Sequence, residues 1–179
     1  MTDTQRTSPD IIECTYCFNG HEFTTCTQCS GVGCKCCKYT GEESIGKCQL
    51  CSGTLKTTRA LVRIYEAHKR ITSRDKNWTG KSLDYPGITD YGLAQWFLAR
   101  NAVSNIYQAQ GIIDDYGECQ IWILARRCTL VKLSGLSWGY SGEGPSGLSY
   151  VLADIGFFSS IDKAKEFVAH QSGIWVIKR

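Results

Sequence analysis

The chain of 179 residues is about 1.2 average domains long, which leaves room for one ordinary core and a small annex but not for a multidomain enzyme. Hydrophobic residues at 42%, aromatics at 11% and charged residues at 21% lie in the globular range and exclude a disordered, collagen-like or mucin-like chain. The formal charge of +3 is too small to impose a nucleic-acid or membrane partner on its own, so charge has to be read by region.

Residues 1–13 read as a flexible tail. The polar opening MTDTQRTSPD lacks the apolar centre of a signal peptide. The longest aliphatic and aromatic run, residues 121–125, is far below the ~20 needed to cross a bilayer. A soluble, cytoplasmic protein is therefore expected.

Cysteine is the outlier. Nine of the eleven cysteines (Cys14, Cys17, Cys26, Cys29, Cys34, Cys36, Cys37, Cys48, Cys51) fall between positions 14 and 51. An odd total in a chain with no export signal argues against a disulfide framework and for metal binding. They resolve into four C-x-x-C pairs, Cys14/Cys17, Cys26/Cys29, Cys34/Cys37 and Cys48/Cys51, with Cys36 spare. Four pairs supply two sites of four thiolates, the donor set that tetrahedral zinc prefers. Glycines follow the pairs (Gly20, Gly31 and Gly33, Gly41, Gly53), where a positive φ turns backbone N–H groups toward the sulfurs. His21 is available as a ligand but is not needed for the count.

CTQCSGVG is a full C-x-x-C-x-G-x-G unit, and CTYCFNG, CKCCKYTG and CQLCSGT are partial copies of it. Residues 14–56 thereby resemble the cysteine-rich zinc domain of DnaJ-type chaperones. The resemblance implies that the first and fourth pairs share one zinc (Cys14, Cys17, Cys48, Cys51) and the second and third pairs share the other (Cys26, Cys29, Cys34, Cys37). Only four residues separate repeats two and three, where the chaperones carry a long hairpin, and no HPD tripeptide occurs, so stimulation of Hsp70 is not implied. Residues 1–57 carry five Lys/Arg and six Asp/Glu. Eight thiolates with two Zn²⁺ add about −4, so the module is expected to be acidic and a poor phosphate clamp.

Residues 57–81 form a basic connecting segment, with Arg59, Arg63, Lys69, Arg70, Arg74, Lys76 and Lys81 against Glu66 and Asp75. Leu61, Ile64, Tyr65, His68 and Ile71 fall at helical spacing, although an edge strand is an alternative for ALVRIY. A solvated helix face accounts for the charge. A partner-binding role would use Arg59, Arg63, Lys69, Arg70, Arg74 and Lys76 on a nucleic acid or acidic protein, with Trp78 as a stacking residue.

Residues 82–179 read as a compact α+β domain, so the fold class expected is α+β with a small two-zinc module in front. A helix is expected over 89–111, capped by Thr89 or Asp90 and ended by Gly111, with Leu93, Trp96, Phe97, Val103, Ile106 and Tyr107 on its buried stripe. Residues 118–133 read as two β runs, with Cys119 and Cys128 as buried small hydrophobes.

SWGYSGEGPSG reads as a strand-like lead-in, a glycine-rich loop and a helix opening at Pro145 and ending at Gly156. A glycine loop before a helix N-terminus suits an anion, which makes Gly142, Gly144, Ser146 and Gly147 an alternative ligand site, with Arg126, Arg127 and Lys132 as charge partners. The loop matches neither phosphate-binding fingerprint and carries Glu143, so a tight structural turn is the preferred reading. WGY-x-G-x-GP is also similar to a small domain associated with phages and mobile elements, a likeness over about 20 residues that implies no activity. The last segment reads as strand, helix, strand, with Ser159 or Ser160 as cap, Ala164, Phe167 and Val168 facing the core, and a final strand over 174–177. No catalytic signature appears. The function expected is a zinc-binding adaptor for a protein or nucleic-acid partner, with a small-ligand or nucleotide-binding protein as the alternative.

Overall fold

The computed structural model describes residues 10–26, 28–30, 32, 34–36, 38, 40, 42–74, 76, 78, 89–126 and 130–179. The chain divides into two compact units, Ile11–Arg59 and Ala60–Arg179.

The first unit is a pair of two-stranded antiparallel ladders. β1 (Ile11–Glu13) pairs with β4 (Lys56–Thr58), and β2 (His21–Thr25) pairs with β3 (Glu42–Lys47). The inner ladder runs from His21 opposite Lys47 to Thr25 opposite Glu42, with a bulge between Glu22 and Phe23. Ladders of three and five residues are too small to stand alone in water, so another interaction has to hold this unit.

The second unit is α+β. Basic α1 (Arg59–Arg74) buries Leu61, Ile64, Tyr65 and Ile71 at the expected helical spacing, and α2 is Thr89–Ala99. A four-stranded antiparallel sheet follows in the order β7-β6-β5-β8, made of β5 (Ile106–Ile113), β6 (Cys119–Ala125), β7 (Leu130–Leu133) and β8 (Trp175–Lys178). Helices α3 (Glu143–Ile155) and α4 (Ile161–Ala169) lie between β7 and β8 in the chain. Strand alternation decides the core face: Ala109, Ile121, Ile123, Ala125, Leu133 and Trp175 are buried, as are Leu93, Leu148, Val151, Leu152, Ala164 and Val168 of the helices. Phe167 of α4 meets the Trp175 ring edge-on at 5.6 Å, and Trp138 does so at 5.7 Å.

Five expectations are corrected. The helix from Thr89 stops at Ala99, and Val103, Ile106 and Tyr107 lie beyond it. Asn105 takes a positive φ of 57° directly before β5, where a period of two replaces the helical one. Three apolar residues spaced three and four apart cannot tell the two periods apart. Gly111, expected as a cap, stands within β5 under the indole of Trp175, where a Cβ would collide with the ring nitrogen. Phe157 and Phe158 form no strand: Gly156 ends α3 with φ 85°, and Ser160 already accepts from the Lys163 N–H as the cap of α4. The lead-in at 137–140 is not a strand either, and α3 opens at Glu143, two residues before Pro145.

Candidate metal centre

The ladders of the first unit explain where its cysteines go. Cys14 follows β1 and Cys51 precedes β4, so closing the outer ladder carries the first cysteine pair onto the fourth. Cys48 directly follows β3, and its N–H donates to the Gly20 carbonyl at 2.8 Å. Strand β2 then leads away from this cluster to Cys26, directly after Thr25. The two cysteine groups therefore sit at opposite ends of the inner ribbon, about 16 Å apart for a five-residue ladder.

At the near end the four donors Cys14, Cys17, Cys48 and Cys51 lie within 4.8 Å of one another. Their sulfurs are 3.7 Å apart for Cys14–Cys17, 3.8 Å for Cys14–Cys48 and 3.6 Å for Cys17–Cys51. Four sulfurs at ~2.3 Å from a zinc ion form a tetrahedron with edges of about 3.8 Å, so this donor set fits zinc closely. The turns behind the thiols are matched. Asn19 and Gly20 follow Cys17 with φ of 49° and 80°, and Ser52 and Gly53 follow Cys51 with φ of 52° and 87°. Gly20 is confined to glycine twice over, because a Cβ there would lie 2.8–3.1 Å from the backbone of Gly53. Buried Glu22 accepts from the Gln49 N–H at 2.9 Å and fixes the fourth turn.

The thiols here differ in acidity. Burial pushes Cys48 up to about 12, against the backbone N–H groups of Cys51 and Leu50. Burial raises Cys51 as well, but the N–H groups of Gly53 and Leu55 together with the Cys17 and Cys48 side chains outweigh it and bring the thiol down to about 7. Burial also raises Cys14. A buried thiol that resists ionisation in water is stabilised as a thiolate by a cation, so metal uptake here releases protons.

At the far end Cys26, Cys29 and Cys34 form one group within 4.8 Å, and Cys26, Cys36 and Glu43 form another. The Cys26–Cys34 sulfur distance is 3.8 Å, again a tetrahedral edge. Cys36, which the pair count left over, sits 3.3 Å from Cys26 and 2.8 Å from Cys34. Cys37 lies outside the described residues. Ser30 and Lys38 each directly follow the second cysteine of a pair with φ of 49° and 51°, the turn position that Ser52 occupies after Cys51. The side chain of Glu43, then burial, raise the Cys26 thiol. His21 is exposed and faces Ser44, with Nδ1 3.4 Å from its hydroxyl, in neither group. Cys119 is half-buried in β6, and burial raises its thiol; Cys128 and Arg127 lie outside the described residues. Both cysteine-rich groups can thus hold zinc.

The other sequence candidates sit in the second unit. Arg59, Arg63, Arg70 and Arg74 share one stripe of α1, but its middle is neutralised. Asp90 accepts from Arg70 at 2.7 and 2.8 Å and lies 3.8 Å from Arg63. Arg70 lowers the Asp90 carboxyl below its usual range. Arg59, Lys69, Arg74 and Lys76 are exposed, and Lys81 lies outside the described residues. Trp78 is no stacking residue: only 7% exposed, it meets Tyr91 edge-on at 5.9 Å.

In the glycine-rich loop Gly142 is extended and exposed, Ser146 is half-buried, and Gly144, Pro145 and Gly147 are buried. A Cβ on Gly144 would collide with the Ser137 hydroxyl, and one on Gly147 with the Thr89 methyl. These two glycines let α3 approach α2 and the 134–140 segment, which leaves little of the loop for an anion. Arg126 and Lys132 are exposed, and the Lys132 ammonium lies 5.7 Å from the centre of the Trp122 ring. Among the described residues no helix is long and apolar enough to cross a membrane. Set against protein-family models, curated proteins and solved structures, the chain matches none.

Proposed function

We propose that the chain is a non-enzymatic adaptor whose DnaJ-like module takes up two zinc ions and docks a segment of a partner protein on its own surface. The observation that carries this reading is a set of large apolar side chains on a unit with almost no core. Phe18 is 70% exposed and packs edge-on against exposed Phe23 at 6.4 Å, and Tyr16, Val32, Ile45 and Leu55 are exposed as well. Apolar surface left out on so small a unit favours association.

Charge narrows the partner. Residues 11–59 hold five Lys/Arg and four Asp/Glu, and about −4 from eight thiolates and two zinc ions makes the loaded module acidic. A protein segment that alternates apolar with basic side chains fits it; a nucleic acid does not. The exposed ends of the α1 stripe support a weaker second reading in which nucleic acid binds there.

The test uses the zinc-loaded protein and two fluorescent probes, a Leu/Arg-alternating peptide and a single-stranded oligonucleotide. Replacing Phe18 and Phe23 together by Ser is expected to weaken peptide binding at least tenfold while elemental analysis still finds the wild-type zinc content. Unchanged peptide binding sinks the reading. Binding of the oligonucleotide alone, lost on reversing Arg59, Lys69, Arg74 and Lys76 to Glu, moves the site to α1.

A further inference from the structure

We infer that Cys36, spare in the C-x-x-C count, is a ligand of the second zinc ion together with Cys26 and Cys34. The inference rests on the two-zinc reading and changes the ligand set that the C-x-x-C count implies. Its basis is a triangle of sulfurs with sides of 3.8 Å (Cys26–Cys34), 3.3 Å (Cys26–Cys36) and 2.8 Å (Cys34–Cys36). That triangle has a circumradius of about 2.0 Å, shorter than the ~2.3 Å zinc–thiolate bond, so one ion can lie at bonding distance from all three sulfurs, about 1.2 Å off their plane. Cys29 lies within 4.8 Å of Cys26 and Cys34, in a group that does not include Cys36.

Glu43 is the rival fourth donor, because its carboxylate lies within 4.8 Å of the Cys26 and Cys36 sulfurs. Zinc already bound by thiolates favours another sulfur over a hard oxygen. Glu43 is then a positioning neighbour of Cys26 and not a ligand. The far cysteines are unequally sheltered: Cys26 is buried, Cys29 and Cys34 are half-buried, and Cys36 is exposed. At the near end Cys48 and Cys51 are both buried and none of the four is exposed. The far ion is therefore the one that solvent and chelators reach through a ligand.

The experiment measures zinc per chain, the thiolate-to-metal charge-transfer band of the cobalt-substituted full-length protein, and release to a colorimetric chelator. Wild type is expected to hold two ions that leave in two phases. Cys36→Ser is expected to lose one ion or to release it at least tenfold faster, with a weaker charge-transfer band. Cys36→His restores a donor atom and is expected to restore the second ion, which separates ligand loss from misfolding. Glu43→Gln is expected to behave as wild type. An unchanged Cys36→Ser, or loss of an ion in Glu43→Gln, overturns the assignment. Fewer than two ions in wild type is instead a failure of the two-zinc reading.

Discussion

The two units of this chain are both built on antiparallel strands, yet they are held by different forces. In Ala60–Arg179 four strands and four helices bury Leu93, Ile121, Ile123, Leu133, Leu148 and Leu152 completely, and removal of that apolar area from water is the driving force. Among the described residues of Ile11–Arg59 the buried apolar side chains are Cys26, Cys48, Leu50 and Cys51, and three of those four are candidate ligands. One unit spreads its buried apolar contacts over many side chains, whereas the buried apolar side chains of the other are mostly candidate metal ligands.

The sharpest way to break the comparison is to remove metal. A structural zinc contributes on the order of 10–16 kcal/mol to the fold it holds, so strong chelation is expected to abolish the amide dispersion of 11–59 in an NMR spectrum and leave that of 60–179. A single cooperative loss of both would erase the distinction. Acid is expected to do the same more gently. With Cys48 near 12 and Cys14 raised, protons compete with the ion, and the zinc affinity read by competition falls as pH falls.

Damage to the core is expected to give the reverse pattern. Leu152→Ala, at a fully buried position, should lower the denaturant-derived stability of 60–179 by about 2–5 kcal/mol without changing zinc content. Gly147→Val should cost about 1–3 kcal/mol by forcing a side chain against Thr89 and Leu136.

Smaller effects sharpen the contrast. Asp90→Asn removes the paired contact with Arg70, whose side chain is 40% exposed, and is expected to cost about 1 kcal/mol at neutral pH. Because Arg70 lowers the Asp90 carboxyl, its contribution is present above the usual value of 3.8 and fades as pH falls below it.

The smallest effect expected is at His68. Its ring lies 4.6 Å from that of Phe97, and burial, then Lys69, hold the imidazole below its ordinary 6.5. The unfolded chain therefore takes up a proton more readily than the folded one. The stability of 60–179 is complete above about 6.5 and declines as pH falls, and His68→Leu should flatten that part of the curve.

Much of this was legible in the sequence, and the misses have physical causes. The α+β class followed from periodicity, because α3, α4 and the β6–β7 hairpin each repeat one period, whereas the start of α1 fitted a helix or an edge strand. The 99–113 stretch did not: Val103, Ile106 and Tyr107 satisfy a helix by spacing alone, while the strand alternation of Ala109 and Gly111 is nearly silent, since both are small. Trp78 looked available because burial by Tyr91 is a tertiary event with no local signal. The glycine loop was read as a tight turn with a ligand site as the alternative, because glycine serves close packing and anion approach equally well. At the metal centre the cysteine types and the turn residues were visible. The meeting of Cys14 and Cys17 with Cys48 and Cys51 came from resemblance, and the β1–β4 ladder now supplies a geometric reason for it. Cys36 escaped because counting C-x-x-C units assigns each cysteine to one partner, whereas C-x-C spacing also brings two sulfurs together.

The ribbon of β2 and β3, with a cysteine group at each end, fixes what evolution or an engineer can do with its length. Successive side chains in a strand point to opposite faces, so one residue added to both strands turns the far group to the other face of the ribbon, with Phe23 left behind. Two added to both preserve the facing and lengthen the span by about 6.6 Å. The separation of the two groups is thus adjustable in discrete steps, like notches on a rule, and a partner that grips both ends would measure it.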